Sequence, residues 1–335
     1  MNGLQTGTLA AAAFTVMAAP QTIAQSSETL WDLSIEYQVD SLPGTVAQKF
    51  AKELGALTDG QISVTIHYGA ALGFKSVDQF DAVSDGALPL ASSFAGAWGG
   101  IDPIFLVASL PVVAPTLDDS RTLYEAAKPY FEESLHEANQ ILLAVTPWPN
   151  NGIWSETPIT SVDDLQDLRI RTFDPLGTVT FKEIQASPVQ LSWADVIPQL
   201  STGALDAVLT SADGGSASSL WDLLPAYSQV PYASPWQILH MNRDSFDDLD
   251  PETQANVREA AHRAEVFGWQ QVAVRTARNF SDMRAHDMTI AEEVPSELVK
   301  SLAQAGQAAV ETWKSDSGTR GTALLDTFEA ESATK

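Results

Sequence analysis

Arg171 is the residue whose chemistry follows most directly from the sequence. It comes after Ile170 in the segment LRIRTFD, whose pattern predicts a strand with Ile170 on the buried face. Arg171 then points to the opposite face near the carboxyl end of the strand, where open α/β sheets bind ligands. A guanidinium there presents a planar fork that matches a carboxylate. The alternative is a surface ion pair with Asp167 or Asp174, and spacing alone does not decide between the two.

Motifs for catalysis are missing from the chain. It has no Gly-x-Ser-x-Gly, His-Glu-x-x-His or P-loop pattern, and its paired glycines do not fit a dinucleotide fingerprint. The five histidines are scattered, and the absence of cysteine excludes disulfides and thiolate sites. The sequence therefore predicts a protein that is not an enzyme and that uses no cofactor and no metal.

The length and net charge of the chain further limit its domain organisation and its partners. A chain of 335 residues fits two domains or lobes rather than one core. Its formal net charge of −25 repels nucleic acid and anionic membrane surfaces, so neither is expected as a partner. An anionic ligand would be repelled at long range as well, and its capture needs a local positive group such as Arg171.

The first 25 residues resemble a secretory signal. An apolar run from Leu9 to Ala19 is too short to span a bilayer, and small residues precede Gln25 as a cleavage site requires. No Lys or Arg comes before Lys49, so the usual positive start of a signal is missing and the true start codon is expected upstream. We predict export to the periplasm and no inserted segment in the mature protein.

Strand and helix patterns alternate twice along the chain. The first set, from about residue 31 to 94, reads as strand, helix, strand, helix, strand, which predicts a parallel sheet. A similar unit restarts at residue 161, and PWQILHMNRDSF reads as a strand that returns between two lobes. One long helical pattern covers residues 251–286, with Pro251 well placed at its first turn.

Several side chains near predicted strand ends are candidates for a cleft between the lobes. Trp rings bury a large apolar area and keep an N–H donor, which suits a ligand with an apolar or aromatic body. The same rings could instead only pack the hinge, and the sequence leaves both interpretations open. Lys75 is a further positive neighbour. The candidates argued in this way are Tyr37, Lys75, Ser92, Phe94, Trp193 and Trp236.

Three segments resemble one family. DLQDLRIRTFD…PVQLSWADVIPQLSTGALDAVLTS is similar to the central segment of the DctP-type solute-binding proteins of tripartite ATP-independent periplasmic (TRAP) transporters. KFAKELGALTDGQISVTIHYGAALG and FDDLDPETQANVREAA resemble two other recurrent segments of that family. The motifs are specific in combination, and the resemblance covers nearly the whole mature chain.

The resemblance implies an α/β, two-lobed periplasmic binding protein fold with crossover strands and a long helix that braces both lobes. It assigns residues 30–145 and 235–250 to lobe 1, 146–234 to lobe 2, 251–286 to the long helix and 287–335 to a C-terminal helical segment. Arg171 takes the position of the arginine that pairs with the ligand carboxylate. Thr210 takes a position where members often place a polar ligand contact. Trp154 stands where many members carry a second arginine, so a dicarboxylate is disfavoured.

These inferences together predict periplasmic capture of a small organic monocarboxylate and its delivery to TRAP membrane subunits by a monomeric receptor. Three alternatives stay open. The ligand could be a zwitterion or small amine caged by aromatic residues. The protein could serve another importer or a sensor, or it could be an enzyme that uses carboxylates in the cleft.

Overall fold

The computed structural model describes Met1, Gly3 and residues 29–334. The predicted secretory signal therefore lies outside the described residues except for two positions. Within the described part, none of the helices is both long and apolar enough to cross a bilayer.

Eleven strands occur within residues 29–334. In chain order they are β1 (Thr29–Ile35), β2 (Ile62–His67), β3 (Leu90–Phe94), β4 (Gln140–Pro147), β5 (Asn151–Ser155), β6 (Arg169–Thr172), β7 (Ser187–Gln190), β8 (Ala207–Ser211), β9 (Ala226–Ser228), β10 (Trp236–Asn242) and β11 (Thr289–Ala291).

The α-helices of the same residues complete the element list. They are α1 (Leu42–Leu57), α2 (Ser76–Ser84), α3 (Leu117–Glu137), α4 (Pro175–Glu183), α5 (Val196–Ser201), α6 (Ala212–Ala217), α7 (Arg243–Asp247), α8 (Pro251–Ala285) and α9 (Ser296–Ser332). The apolar, Pro-punctuated segment after residue 102 forms a 3-10 helix over Pro103–Ser109.

The strands form two sheets, one in each lobe. Lobe 1 has the order β2-β1-β3-β10-β4, in which β1 pairs parallel with β2 and β3 while β10 runs antiparallel to β3 and β4. Lobe 2 has the order β11-β9-β5-β8-β6-β7, in which β6 is parallel to β7 and β8. The chain passes from lobe 1 to lobe 2 between β4 and β5 and returns between β9 and β10. The two-lobed α/β prediction is confirmed, whereas the lobe boundaries drawn from the sequence stay a prediction.

Local sequence signals start the helices that frame the cleft. Ser41 caps α1 by accepting a hydrogen bond from the backbone N–H of Gly44, and a Cβ on Gly44 would lie 2.4 Å from the carbonyl oxygen of Gln38. Asp250 caps α8 by accepting from the backbone N–H groups of Glu252 and Thr253. These caps fix the chain direction where β1 leads into α1 and where the long helix begins.

Two helices, not one, brace the lobes. Helix α8 packs against α1 and β4 of lobe 1 and against α6 and β11 of lobe 2. Helix α9 packs against α3 of lobe 1 and α4 of lobe 2, and Gly318 breaks its regular path with a φ of 58°. The sequence assigned bracing only to the helix of residues 251–286, because the resemblance does not say where a terminal helix lies.

Candidate functional site

A cavity lies between the two lobes, close to the strand ends. Its free volume is only about 20 Å³, so the walls of the cavity lie close together in this structure. Lobe 1 and lobe 2 both contribute to its wall, as do the segments that connect them. The lining residues are Tyr37, Phe94, Trp148, Asn151, Arg171, Phe173, Trp193, Thr210, Ser211 and Pro235.

Arg171 supplies the positive charge of this cavity. Its side chain donates from Nε to the Leu191 carbonyl oxygen at 3.0 Å and from Nη1 to the Leu209 carbonyl oxygen at 3.2 Å. These two bonds use two of the five N–H donors of a guanidinium. Arg171 is only 3% exposed, and no carboxylate among the described residues lies within ion-pair distance of it. The surface ion pair with Asp167 or Asp174 is therefore not formed.

The pKa of Arg171 is lowered because its guanidinium is buried without an ionic partner. Burial lowers it from the usual value, and the nearby Tyr37, Glu36 and Asp174 oppose the shift only in part. A buried charge without a partner is costly, since several kcal/mol of hydration are lost per ion, about 20 in the idealised limit. An anion bound in the cavity would restore the missing partner.

Asp174 is a buried carboxyl group whose pKa is affected by this charge. Burial raises its pKa to about 6, while hydrogen bonds and the charge of Arg171 act in the opposite direction. Its Oδ1 accepts from the backbone N–H of Gly177 at 2.9 Å and so caps α4. Asp174 therefore serves the fold of lobe 2 and does not line the cavity.

Aromatic side chains make up half of the ten lining residues of the cavity and connect the lobes. Tyr37 of lobe 1 stacks on Trp193 of lobe 2, with ring centroids 6.0 Å apart, and also meets Trp148 at 4.7 Å. Phe94 of lobe 1 meets Phe173 of lobe 2 edge to face at 5.5 Å. The guanidinium of Arg171 lies 5.4 Å from the Trp193 ring centre and 5.8 Å from that of Phe173. Two of the five aromatic rings therefore already face a cation.

Polar contacts also join the lobes outside the cavity. Lys75 of lobe 1 contacts both carboxylate oxygens of Asp195 of lobe 2, at 2.9 and 2.7 Å. Glu36, directly after β1, accepts from the backbone N–H of Ser76 in lobe 1 and from that of Ala194 in lobe 2, both at 2.9 Å. These contacts require the lobes to be close together, so the structure is a closed arrangement.

A buried network fixes α8 to both lobes behind the cavity. Asp213 at the start of α6 pairs with Arg275 of α8 at 2.8 Å and accepts from Asn279 at 3.1 Å. The other oxygen of Asp213 accepts from the backbone N–H of Leu42 at the start of α1, at 2.7 Å. Asp213 follows the cavity residue Ser211 by two positions, so this network couples the cavity wall to the helices that brace the lobes.

A model of the bacterial extracellular solute-binding protein family 7, DctP, matches residues 34–316. The chain belongs to the DctP family. This assignment confirms the resemblance, and the family consists of the extracytoplasmic solute receptors of TRAP transporters.

Individual relatives of this DctP protein are distant in sequence and close in structure. The ectoine/5-hydroxyectoine-binding periplasmic protein UehA of Ruegeria pomeroyi is 26% identical over 75% of this chain and 74% of its own. A solute-binding protein of Chromohalobacter salexigens is 26% identical over 66% of both chains. The crystal structure of DctP7, a Bordetella pertussis extracytoplasmic solute receptor binding pyroglutamic acid, has a TM-score of 0.86 at 26% identity and covers 90% of this chain and 99% of its own.

Five of the nine candidates from the sequence come together in the cavity of this DctP protein. They are Tyr37, Phe94, Arg171, Trp193 and Thr210. Arg171, Trp193 and Thr210 all come from lobe 2, on or next to strand ends, whereas Tyr37 and Phe94 reach in from lobe 1. Tyr37 lies two residues beyond β1 rather than on it, because β1 ends at Ile35.

The structure does not bring two of the candidate tryptophans to the cavity. Trp154 on β5 turns its indole towards α6, where a Cβ on Gly215 would lie 2.2 Å from it. Trp236 is fully buried in lobe 1, where it donates to the Ser120 hydroxyl at 3.0 Å and packs on Phe131. Both side chains are used in packing, so the ring expected in place of a second arginine is not part of the wall.

Ser92 and Lys75 are also placed outside the wall. Ser92 accepts from the Gln237 side chain at 3.1 Å, and Gln237 accepts from Trp148 Nε1 at 3.3 Å, so Ser92 supports a wall residue from behind. Lys75 is paired with Asp195, as described above. The polar groups of Ser92 and Lys75 therefore form hydrogen bonds or ion pairs with other protein atoms.

Five of the residues that line the cavity were not predicted from the sequence. Trp148 lies directly after β4, where the chain crosses to lobe 2. Phe173 lies two residues after Arg171 on the same side of the chain, and Ser211 follows Thr210, so closer attention to strand neighbours would have found both. Pro235 lies in the crossover segment before β10, which periodicity does not describe, and Asn151 begins β5, whose five residues are all buried.

Proposed function

We propose that this DctP-type receptor captures a small organic monocarboxylate in the cavity between its lobes and delivers it to the membrane subunits of a TRAP transporter. The observation that carries the proposal is the isolated guanidinium of Arg171. It is buried, it lines the cavity, and it has no carboxylate partner among the described residues. A ligand carboxylate would accept the remaining N–H groups as a charge-assisted, two-pronged pair.

Capture would proceed by closure of the lobes. In an open form the ligand meets Arg171 on lobe 2, and Tyr37 and Phe94 of lobe 1 then close over it. Closure excludes water, which strengthens the ion pair between the ligand and Arg171. The contacts of Lys75 and Glu36 with lobe 2 form at the same time and stabilise the closed form that the transporter receives.

A single negative charge fits the cavity better than two. Arg171 is the one basic residue among the described residues of the lining. A second carboxylate would have to be buried without a cation, at a cost of several kcal/mol, roughly 3–5. Pyroglutamic acid, which DctP7 binds, is a compact monocarboxylic acid.

A zwitterion is the second candidate, because five aromatic side chains line the cavity. Its carboxylate would take Arg171 and its cation would need an aromatic face or a carboxylate. No acidic side chain lines the described part of the cavity, and Phe173 and Trp193 already face the guanidinium. The monocarboxylate is therefore the better fit. We also propose that the protein turns over no substrate, since its site offers a binding cation and no catalytic pair.

A ligand screen tests the proposal directly. The protein is unfolded and refolded to release any bound solute and then melted with monocarboxylates, dicarboxylates, sugar acids and small amines. A ligand at 1,000 times its dissociation constant adds about 4 kcal/mol of stability, which raises the melting temperature by several degrees. Shifts confined to monocarboxylates are expected, and shifts from amines alone, or from none of the acids, contradict the proposal.

A further inference from the structure

An asparagine side chain in the cavity lacks a hydrogen-bond partner. Asn151 is the first residue of β5, lines the cavity and is 2% exposed. Its backbone N–H donates to the Ala233 carbonyl oxygen at 3.0 Å, which anchors the residue between the two crossover segments. Its side-chain Nδ2 is buried, and no described residue accepts a hydrogen bond from it. Such a group is uncommon in a folded protein and calls for a partner.

Two neighbouring polar groups of the cavity make hydrogen bonds to other protein atoms. Ser211, the cross-strand partner of Asn151, accepts from the backbone N–H of Gly214 and so caps α6. Trp148 Nε1 donates to Gln237. No described residue accepts from the amide of Asn151 in this arrangement, and a bound ligand would supply the acceptor.

The position of Asn151 relative to Arg171 gives the ligand two polar ends. In lobe 2, β8 lies between β5, which carries Asn151, and β6, which carries Arg171. The two side chains therefore reach one small cavity from strands on opposite sides of β8. A carboxylate on Arg171 leaves the body of the ligand to Asn151 and the aromatic rings.

The charge of the cavity lining limits which ligand group can lie next to Asn151. A second anion there would lack a cation, and a cation would lack a carboxylate, because no other charged side chain is found among the described residues of the lining. A neutral oxygen is the acceptor that needs no counter-charge. An unsatisfied buried donor is costly, so a ligand without such an oxygen binds less well.

We propose, on the basis of the proposed function, that Asn151 selects among monocarboxylates by donating from Nδ2 to a neutral oxygen on the body of the ligand. The preferred class is then a compact ring acid with one carboxylate and a ring ether or carbonyl oxygen. Arg171 then gives affinity for any monocarboxylate, and Asn151 determines which monocarboxylate binds more tightly.

Three ring acids of nearly equal size test this division. Cyclopentanecarboxylate has no oxygen in its body, oxolane-2-carboxylate has a ring ether, and pyroglutamate has a ring carbonyl. Calorimetry on the refolded full chain is expected to show that the better of the two oxygen-bearing acids binds about tenfold or more tightly than cyclopentanecarboxylate. Equal affinities for all three, or binding of none of them, would overturn the inference.

Two variants separate Asn151 from its surroundings. Asn151→Leu is expected to remove the preference, with a loss of about tenfold for the preferred acid and little change for cyclopentanecarboxylate. Asn150→Leu is the matched control, because Asn150 is the adjacent amide but bonds to Pro115 and Ser234 outside the cavity wall. A preference that survives Asn151→Leu, or that Asn150→Leu also removes, would overturn the inference.

A third variant guards against loss of fold. Asn151→Asp keeps the shape of the side chain and places a negative charge in the cavity, so the affinity for all three acids is expected to fall. The circular dichroism spectrum and the melting temperature are expected to stay near those of the wild type. Unchanged affinities for all three would count against a ligand contact at this position. If the wild-type protein binds all three acids without preference, only the role of Asn151 is contradicted. If the wild-type protein binds no monocarboxylate, the proposed function itself is contradicted.

Discussion

Lys75 of lobe 1 and Asp195 of lobe 2 form an ion pair between the lobes, with Nζ 2.7 Å from the nearer carboxylate oxygen. Asp195 follows the cavity residue Trp193 by two positions, so the pair lies next to the binding cavity. Both side chains are between a third and two fifths exposed. The pair therefore joins the two lobes in the closed form without lining the cavity.

Removal of this ion pair is expected to shorten closure. Lys75→Ala should raise the dissociation rate of the ligand by up to about fivefold, since an exposed pair contributes about 0.2–1 kcal/mol. Stopped-flow tryptophan fluorescence measures the rate, and the difference should shrink at high salt. Lys49→Ala is the control, because Lys49 pairs with Glu53 within α1. Equal dissociation rates for wild type and Lys75→Ala would rule out a role in closure.

Glu36 is expected to matter more than Lys75 because it is buried. Glu36→Gln keeps the size of the side chain but replaces a charged acceptor of two backbone N–H groups. Hydrogen bonds to charged groups contribute about 1.5–3 kcal/mol, so affinity should fall about tenfold. Calorimetry is the measurement. Glu53→Gln should leave affinity unchanged, since Glu53 contacts no residue of lobe 2 in its ion pairs. Wild-type affinity in Glu36→Gln would show that this contact does not stabilise the closed form.

Asp174 gives the protein a pH dependence of defined sign. Its pKa of about 6 in the folded state lies above the ordinary 3.8, so the folded state holds the proton more tightly than the unfolded state. The free energy of unfolding should therefore fall as pH rises from about 4 to about 6. Asp174→Asn keeps an oxygen that can cap α4 and removes this loss. The melting temperature of the variant minus that of the wild type should rise over this range and then stay level.

Two other groups make the comparison specific. His240, whose pKa burial lowers to about 3, destabilises the fold as pH falls below 6.5, but it is present in both proteins and cancels in the difference. Asp250 has a lowered pKa because Thr253 and Glu252 donate to it, so its stabilising effect is lost at low pH. The melting temperature of Asp250→Asn minus that of the wild type should therefore fall, not rise, as pH increases through the range below about pH 4. A flat difference for Asp174→Asn would mean that Asp174 is not held neutral by burial.

Gly215 should be required for the packing of Trp154. Gly215→Ala places a Cβ 2.2 Å from the indole and should destabilise the protein by about 1–3 kcal/mol. Gly100→Ala is the control, because nothing lies within 4 Å of a Cβ built there. Melting temperatures measure the effect. Equal stability of the two variants would contradict the placement of Trp154 against α6.

The sequence predicted the elements whose pattern is regular. Alternation placed Ile170 and Arg171 on one strand near its carboxyl end, and the family resemblance gave Arg171 its role. The long helical pattern gave α8 because Pro251 and a helical run mark its start and extent. These features depend on neighbouring residues, which a single sequence displays.

The sequence could not predict features that depend on distant partners. The direction of the Trp154 ring depends on Gly215, 61 positions later, and the ion pair of Lys75 depends on Asp195, 120 residues away. All five residues of β5 are buried, so the strand has no apolar–polar alternation to reveal it. Asn151 was missed for that reason.

The exchange of Arg171 for alanine tests the central claim most directly. Arg169→Ala is the matched control, because Arg169 lies two residues earlier on β6 but is exposed and paired with Asp206. With a monocarboxylate that stabilises the wild-type protein, Arg171→Ala should lose about 3–5 kcal/mol of binding, at least about a hundredfold in affinity, while Arg169→Ala binds as the wild type does. Equal affinity in Arg171→Ala and wild type would show that the ligand carboxylate is not held by this guanidinium, and the assignment of the cavity as the binding site would fail.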